Sequence, residues 1–364
     1  MSATALIRLS FAREAALEGD RTGRAIAVIV LLAVALVAIA LWSLTAGASD
    51  ASFLHAVIEW LSPGSGALSE RDRLIIRDIR MPRVAMGALI GAALAVSGAV
   101  MQGLFRNPLA DPGLIGVSAG AALGAVAMIV LGATVLAPVA ALAGVYALPL
   151  AAFLGGLAVT FLLYGISTRH GQTSVATMLL TGIALAALAN AMLGLLIFMA
   201  DDRQLRDITF WNLGSLAGAT WTKIWAIGPI IALALAVAPF LARGLNGLAL
   251  GEASARHLGV PVQRLKYVAI FTVAAAAGAS VAFSGGIGFV GIVVPHLLRL
   301  AIGPDNRFLL PAAALGGACL LLVADAISRT IVAPAELPIG IVTAAAGAPV
   351  FLWILLRRRG LLDL

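Results

Sequence analysis

The sequence predicts an all-α, polytopic inner-membrane protein with about ten transmembrane helices and an inverted internal repeat. Composition is the first indication, since 62% of the 364 residues are hydrophobic and only 11% are charged. The mean hydropathy is +1.06, whereas a soluble domain carries about 25% charged residues. Long uncharged runs and a motif that recurs in both halves are the other two indications. The whole chain, residues 1–364, is expected to form a single transmembrane domain.

The uncharged runs define the predicted spans. Residues 25–44, 84–105, 171–200 and 337–356 contain no Asp, Glu, Lys or Arg, and each run reaches the length of about 20 residues that a helix needs to cross a bilayer. Residues 112–168 are also uncharged, which is enough for two spans and a turn. The ten predicted spans begin near Ala25, Val84, Pro112, Ala147, Ser174, Trp221, Lys266, Ile287, Phe308 and Leu337.

Two regions of this assignment need comment. The uncharged stretch 267–298 is too short for two full spans, so one of spans seven and eight is expected to be short or re-entrant. The first run resembles a secretory signal, but residues 25–44 exceed the 7–15 residues of a signal core. We therefore expect an uncleaved first span that follows a cytoplasmic segment, residues 1–24.

A short motif recurs in the two halves of the chain. Residues 91–98 resemble residues 278–285, and Pro108 matches Pro295 at the same offset. An Ala- and Gly-rich composition alone could produce several of these identities. The copies lie five crossings apart, however, so the halves would face opposite ways, which is a common construction in transporters. Spans 2–5 and 7–10 are the predicted repeat units.

The basic excess predicts topology rather than nucleic-acid binding. The formal net charge is +7, and most of the basic residues fall in segments on one side of the ten predicted spans. Because cytoplasmic loops of membrane proteins are rich in Lys and Arg, we expect both termini in the cytoplasm. The single cysteine, Cys319, lies in an apolar span, so no intrachain disulfide is expected.

Glycines spaced four residues apart predict close helix packing, because small residues let helix backbones approach each other in lipid. Packing within the chain is a simpler interpretation than a dedicated dimer motif. The pairs are Gly87 and Gly91, Gly120 and Gly124, and Gly214 and Gly218.

No motif predicts a catalytic site, a resident cofactor or a metal site. The glycines of residues 286–291 fit a dinucleotide motif, but an apolar run surrounds them and no strand is predicted before them, so a turn is the better interpretation. Neither lysine, Lys223 or Lys266, belongs to a phosphate-binding loop. If transport is driven by ATP, the ATPase is therefore a separate polypeptide. The histidines, His55, His170, His257 and His296, are too scattered for a metal site.

The span interiors offer few polar residues for a pathway. Ion-coupled carriers usually bury ionisable groups at mid-membrane, and here Asp325 and Arg329 are predicted at the outer end of span nine, at the interface. Asn190 is the most central polar residue, expected to line the pathway or to bond a neighbouring helix. Met192 and Met199 share a face of span five, either as core packing or as a soft pathway lining.

Two polar segments are candidate interaction sites. Residues 248–259 form a charged pattern bracketed by glycines between two apolar runs, which indicates a short helix in a cytoplasmic loop, residues 243–266, that a soluble partner can bind. Residues 70–83 are dense in charge before span two. This outer segment is either a solvated face or a docking surface, because exposed arginine forks pair with carboxylates.

Five sequence blocks together resemble the FecCD-type permeases of bacterial importers for iron chelates, haem and cobalamin. The blocks are residues 80–83, 97–116, 248–259, 288–296 and 335–340. The resemblance extends over nearly the whole chain. It implies a homodimer with the path at its axis, two ATP-binding cassette ATPase subunits that hold ATP and magnesium, and a periplasmic substrate-binding protein.

The resemblance also implies roles for individual residues. The ATPase-coupling segment comprises Leu250, Gly251, Glu252, Ala253, Ser254, Ala255, Arg256, His257, Leu258 and Gly259. Arg80, Arg83 and Arg329 match positions that bind the substrate-binding protein. Asn107, Leu109, Thr173 and Ser174 match the cytoplasmic gate.

The expected substrate is haem, because residues 202–216 look most like the haem-importing branch. A ferric siderophore and cobalamin are the alternatives. No His or Tyr that could ligate haem iron is evident in the predicted path, so haem would pass without being ligated. An ion-coupled secondary carrier and a non-transporting receptor are the competing classes of protein.

Overall fold

The computed structural model describes residues 21–45 and 69–359, and nearly all of these residues are helical. The helices are α1 Thr22–Thr45, α2 Glu70–Leu74, α3 Met81–Phe105, α4 Val117–Leu131, α5 Ala137–Ala143, α6 Ala147–Ser167, α7 Val175–Met199, α8 Asp202–Leu213, α9 Trp221–Ala249, α10 Glu252–His257, α11 Val262–Ser284, α12 Val290–Ile302, α13 Asn306–Thr330 and α14 Ile339–Arg359. A π-helical turn, Ile75–Arg80, joins α2 to α3, and two 3-10 turns are Pro112–Ile115 and Gly144–Tyr146. A two-stranded antiparallel hairpin, β1 Thr168–Arg169 and β2 Gln172–Thr173, connects α6 to α7.

Ten of these helices correspond to the ten predicted spans. Seven described helices are long and apolar enough to cross a membrane, and α4, α12 and α14 supply shorter apolar ones. The predicted starts agree with the helices to within five residues. The all-α, polytopic prediction is therefore confirmed, and the predicted cytoplasmic segment 1–24 lies mostly outside the described residues.

Span eight is the short one that the sequence required. Gly285 ends α11 with a φ of 70°, a backbone conformation that favours glycine. A coil follows until α12, which has only 13 residues. At about 1.5 Å per residue, α12 is about 20 Å long, well short of the hydrocarbon thickness of about 30 Å.

Helix α3 lies at the centre of the bundle. In its apolar stretch of 18 residues, 78% of the residues are buried. The corresponding fractions for α11 and α13 are 67% and 61%. In contrast, only 6% and 11% of the residues in the apolar stretches of α1 and α7 are buried. The outward faces of α1 and α7 are thus left to lipid or to another subunit.

Two of the three predicted glycine pairs mediate close helix packing. A methyl group on Gly120 would lie 2.3 Å from the carbonyl oxygen of Gly155 on α6, and one on Gly124 would lie 2.1 Å from that of Ala151. A methyl group on Gly91 would lie 2.3 Å from the carbonyl oxygen of Gly317 on α13, whereas one on Gly87 would lie 3.0 Å from the Leu322 side chain of the same helix. The third prediction is wrong, because α8 ends at Gly214. Its φ of 71° places it in a connection rather than on a helix face.

The two copies of the repeated motif lie on buried helices but differ in backbone. Residues 91–98 lie inside α3, where Gly98 packs against the backbone of Gly291. The second copy ends its helix at Gly285. The shared small residues therefore serve helix packing in the first copy and helix termination in the second.

Polar side chains cluster at the two opposite ends of the bundle. One end, called here the arginine end, holds Arg83, Asp325, Arg329 and Glu336. The other end, called here the hairpin end, holds the β1–β2 hairpin, α10 and the start of α13. These two ends carry the two polar segments that the sequence analysis identified as candidate interaction sites.

Candidate functional site

A tight hairpin positions two of the predicted gate residues. His170 and Gly171 join β1 to β2 with φ values of 50° and 72°, and positive φ at both central residues is what a two-residue type I′ turn requires. The hairpin places Thr173 directly before α7. Ser174 then caps that helix, because its hydroxyl oxygen accepts a hydrogen bond from the amide of Thr177 at 3.3 Å.

The coupling segment, Leu250 to Gly259, contains the predicted short helix, α10. Gly251 and Gly259 bracket it with φ values of 102° and 81°, so both ends use conformations that suit glycine. The connection is shorter than the predicted loop 243–266, because α9 continues to Ala249 and α11 begins at Val262. The two spanning helices thus extend beyond the charged residues that were used to set the limits of the predicted loop.

One face of the coupling segment packs against the bundle, and the other face is exposed. Ala255 is fully buried and fixes α10 against the bundle. The flanking leucines, Leu250 and Leu258, are 67% and 66% exposed. The remaining exposed members of the segment are Ala253, Ser254, Arg256, His257 and Gly259. An exposed surface with two large apolar side chains and charged neighbours is typical of a contact for another protein.

A buried lysine connects the coupling segment to the hairpin. Lys266 on α11 is 1% exposed, and its Nζ donates to Oε1 of Glu252 at 2.5 Å and to the backbone oxygen of Thr173 at 2.7 Å. Gln263, one turn earlier, accepts from the amide of Thr173 at 2.9 Å. The sequence analysis missed Lys266 as a functional residue. The available signal was a lone lysine at the start of an apolar span, close in sequence to a polar segment.

The other two predicted gate residues lie in the loop after α3. Oδ1 of Asn107 accepts a hydrogen bond from the amide of Leu109 at 3.0 Å, a local turn that Asn favours. Arg106 ends α3 with a φ of 50°, and its guanidinium lies beside Gly251 at the start of the coupling segment. The two parts of the predicted gate therefore lie on separate loops that both border the coupling segment.

The arginine end is a buried ionic network. Arg83 donates from Nε to Oδ1 of Asp325 at 3.0 Å and from Nη1 to Oε1 of Glu336 at 2.8 Å. Arg329 also pairs with Asp325, at 3.1 Å, and donates to the Ser43 hydroxyl at 2.7 Å. The network ties α1, α3, α13 and the connection before α14 together.

This network corrects the expectation that the arginines are exposed forks. Arg80, Arg83 and Arg329 are only 4%, 5% and 6% exposed, and Arg80 donates to the Leu44 carbonyl at 2.6 Å. Asp325 is fully buried rather than interfacial. Buried charges must be paired to be tolerated, so the buried arginines of this network require the carboxylates of Asp325 and Glu336 beside them. Docking by these three arginines stays a prediction.

The predicted pathway residues lie on the exposed face of α7. Met192 and Met199 are 49% and 59% exposed, and Asn190 is exposed as well. Core packing for the methionines is therefore wrong within one chain, because α7 lies at the edge of the bundle. Large apolar side chains such as Leu188 and Leu195, 57% and 62% exposed, share this helix.

The segment that carried the haem resemblance lies at a junction of three helices. Helix α8 begins with a capping box formed by Asp201 and Gln204. At its other end, the amide of Ser215 donates to the Ser284 carbonyl at 2.8 Å, and the amide of Ile339 donates to the Gly214 carbonyl at 3.1 Å. Residues 202–216 therefore contact both the end of α11 and the start of α14.

Comparison with known proteins identifies the family. Residues 29–357 match the model of the FecCD transport family. The chain belongs to the FecCD transport family. The matched residues extend from within α1 to within α14 and so reach all ten apolar helices. Within the described residues, no group of three His, Cys, Asp or Glu side chains is arranged to hold a metal ion.

Individual relatives of this FecCD chain are import-system permeases. The hemin transport system permease protein HmuU of Yersinia pestis is 46% identical over 328 residues, covering 90% of this chain and 95% of that protein. The vitamin B12 import system permease protein BtuC of Klebsiella pneumoniae is 43% identical, covering 83% and 88%. A solved structure described as an inward-facing conformation of a metal-chelate type ABC transporter is 33% identical, with a TM-score of 0.78, covering 90% of this chain and 98% of that one. The chain is accordingly a permease component of an ABC importer.

Proposed function

We propose that this chain is the transmembrane permease subunit of an ATP-driven type II ABC importer, which moves haem from a periplasmic binding protein into the cytoplasm by alternating access. The observation that carries the ATP-driven class is the exposed, glycine-bracketed helix α10 at the hairpin end. The similarity to a hemin permease over 90% of the chain supports the substrate. The permease converts a movement of its partner into a change of gate.

The coupling segment is the surface that receives the ATPase. Two ATPase subunits, each a separate polypeptide that binds ATP and magnesium, press on α10 of two permease copies. Ala255 supports this role because it is completely buried, and α10 packs against both α9 and α11. Leu250 and Leu258 offer apolar contacts on either side. A helix held on one side transmits a push instead of absorbing it.

The exposed face of α7 is the proposed homodimer interface. A second copy of the chain would cover the apolar side chains of α7, which is only 11% buried in a single chain. Asn190, Met192 and Met199 would then line a path close to the dimer axis. The soft methionine side chains suit a path that must bind its cargo weakly.

The hairpin end is the proposed cytoplasmic end. It carries Arg106, Arg169, Arg243, Arg256 and Arg264, and a cytoplasmic excess of basic residues is the usual pattern in membrane proteins. The chain is then a multi-pass protein of the bacterial inner membrane, with both termini in the cytoplasm. Asn107, Leu109, Thr173 and Ser174 form the cytoplasmic gate.

The arginine end faces the periplasm and receives the binding protein. We assign Arg80, Arg83 and Arg329 to this docking region. A glutamate of the partner reaches Arg83 or Arg329 only by competing with Asp325, which both arginines already contact. Docking is therefore coupled to a rearrangement of the buried network.

The substrate is tested by reconstitution. The permease, its ATPase and its binding protein are placed in liposomes, and ATP-dependent accumulation of haem, a ferric siderophore and cobalamin is compared. Haem accumulation supports the proposal. Cobalamin accumulation instead, which the 43% identity to a vitamin B12 permease makes the second candidate, would keep the importer class and replace the substrate.

A coupling variant separates the importer from an ion-coupled carrier. Glu252→Arg places a cation beside Lys266 and in the ATPase contact, so ATP-driven uptake is expected to be lost while the protein still inserts. As a control, uptake by the natural protein is measured with an ion gradient across the liposome membrane and no ATP. Uptake that depends on the gradient and not on ATP would return the secondary-carrier class.

A further inference from the structure

We propose that Lys266 is the positioning residue that carries a movement of α10 to the β1–β2 hairpin, so that the coupling segment and the gate segment move together. This inference rests on the proposed function, because it takes α10 as the ATPase contact. Lys266 itself need not touch the ATPase or the cargo, and its burial makes direct contact impossible in this conformation.

The first step of the argument is the position of one charged group between two loops. The Nζ of Lys266 reaches the carboxylate of Glu252 on α10 and the carbonyl of Thr173 on β2 at once. These two residues are far apart in sequence, and a single side chain bridges them. Thr173, like Lys266, is almost completely buried.

The second step concerns what happens when α10 moves. An ammonium that is 1% exposed has no water to replace a lost partner, and leaving a buried charge unpaired is strongly unfavourable. Glu252 is partly exposed and has another partner, Arg256, at 3.8 Å. If the pair separates, Glu252 keeps Arg256 and solvent as partners, so the cost of separation falls mainly on the buried ammonium of Lys266. The favourable response is for Lys266 to follow Glu252.

The third step transfers this motion to the gate. Thr173 is fixed to α11 through both backbone groups, since its carbonyl accepts from Lys266 and its amide donates to Gln263. Its hydroxyl contacts that of Thr168 across the hairpin at 3.0 Å. Ser174 follows directly and caps α7. A displacement of Lys266 thus shifts the hairpin and the start of α7 together.

The test combines a distance measurement with transport in the complete complex in nanodiscs and liposomes. Cys319, the only cysteine in the chain, is replaced by alanine, and the exposed hairpin residue Gln172 is changed to cysteine for spin labelling. Pulsed EPR measures the distance between the two labelled copies without nucleotide and with ATP and vanadate. Haem uptake per ATP hydrolysed is measured in parallel.

The informative variant is Lys266→Met, which keeps the length of the side chain and removes its charge. ATP hydrolysis is expected to continue, the nucleotide-dependent distance change at the hairpin to disappear, and uptake per ATP to fall about tenfold or more, within the usual range of coupling between sites. Lys266→Arg, which keeps the charge, is expected to restore part of both. A merely structural role would lower yield without abolishing the nucleotide response.

Lys223→Met is the matched control. Lys223 is the other lysine of the chain and its Nζ also donates to a backbone carbonyl, that of Gly218 at 2.6 Å, but at the opposite end of the bundle. Both readouts are expected to stay unchanged in this variant. If Lys266→Met does not assemble, Glu252→Gln weakens the same link from a partly exposed position and is expected to reduce both readouts.

The outcomes separate the two proposals. If ATP-dependent uptake is absent with Lys266 intact, the proposed function fails. If uptake occurs but the hairpin distance does not respond to nucleotide, the proposed function stands and the coupled movement assigned to Lys266 is overturned. If the distance responds with Lys266 intact and responds equally in Lys266→Met, or in Glu252→Gln where that variant replaces it, only the role of Lys266 is overturned.

Discussion

Gly91 on α3 and Gly317 on α13 are in reciprocal backbone contact. A methyl group added to Gly91 would lie 2.3 Å from the Gly317 carbonyl oxygen, and one added to Gly317 would lie 2.2 Å from that of Gly91. In lipid, close packing of this kind replaces the hydrophobic driving force between helices. The contact fixes the distance between the central helix and span nine.

Gly91→Ala is therefore expected to destabilise the bundle by about 1–3 kcal/mol, the usual cost of overpacking. The measurement is the thermal unfolding midpoint in detergent. Gly165→Ala is the control, because nothing lies within 4 Å of a methyl group at that helical position. Equal midpoints for both variants would contradict the close packing.

The buried carboxylate of Asp325 is expected to matter more than the partly exposed one of Glu336. Asp325→Asn leaves Arg83 and Arg329 without their shared anion, and breaking a buried ion pair costs about 3–5 kcal/mol. The Glu336 side chain is 40% exposed, so Glu336→Gln is expected to cost at most about 1 kcal/mol. Thermal unfolding of both variants measures the difference. A larger loss for Glu336→Gln would refute this ranking.

Charge reversal at the arginine end is expected to separate docking from stability. Arg77 is exposed whereas Arg83 is buried between two carboxylates. Arg77→Glu should weaken binding of the binding protein at low salt without changing the unfolding midpoint, because rim charges mainly affect association. Arg83→Glu should lower the midpoint as well. Binding that is unaltered by Arg77→Glu would remove the outer segment from the docking surface.

The cap of α13 is expected to lose its advantage in acid. Hydrogen bonds from Arg307, together with one from Asn246, lower the pKa of Asp305 below 3.8. A lowered pKa stabilises the folded protein above the ordinary value, and this stabilisation is lost as pH falls through the lowered one. The midpoint of Asp305→Asn should therefore lie below that of the natural protein at pH 7, and the two should converge only as pH falls through the lowered pKa of Asp305. A difference independent of pH would assign the effect to packing.

The apolar runs of the sequence were sufficient to predict the spans, because a bilayer imposes length and apolarity on each crossing helix. That one of spans seven and eight is short also followed from the limited length of residues 267–298, although which of the two did not. The short helix α10 was predictable as well, because charged residues between two glycines interrupt the apolar runs on either side. Local composition thus determines which segments cross and which do not.

The ionic contacts were not predictable in the same way. Asp325 and Arg83 lie 242 positions apart, and only the packing of α3 on α13 brings them together. For the same reason Lys266 was identified only as the start of span seven and as a lysine outside any phosphate-binding loop. Met192 and Met199 were left between core packing and pathway lining, since periodicity shows that they share a face but not what that face meets.

The reduced length of α12 makes the C-terminal helix indispensable. Because the 13 residues of α12 are too few to cross the hydrocarbon, we expect the coil before it at membrane depth, where an unsatisfied peptide group costs several kcal/mol. Gly340 packs on the carbonyl of Gly286, and Gly347 packs on Phe289, so α14 contacts both ends of this coil. A polypeptide that terminated after span nine would present bare backbone to hydrocarbon, and nonsense mutations in the last 30 or so codons, about the length of one span with its connection, should mark the product for proteolytic quality control.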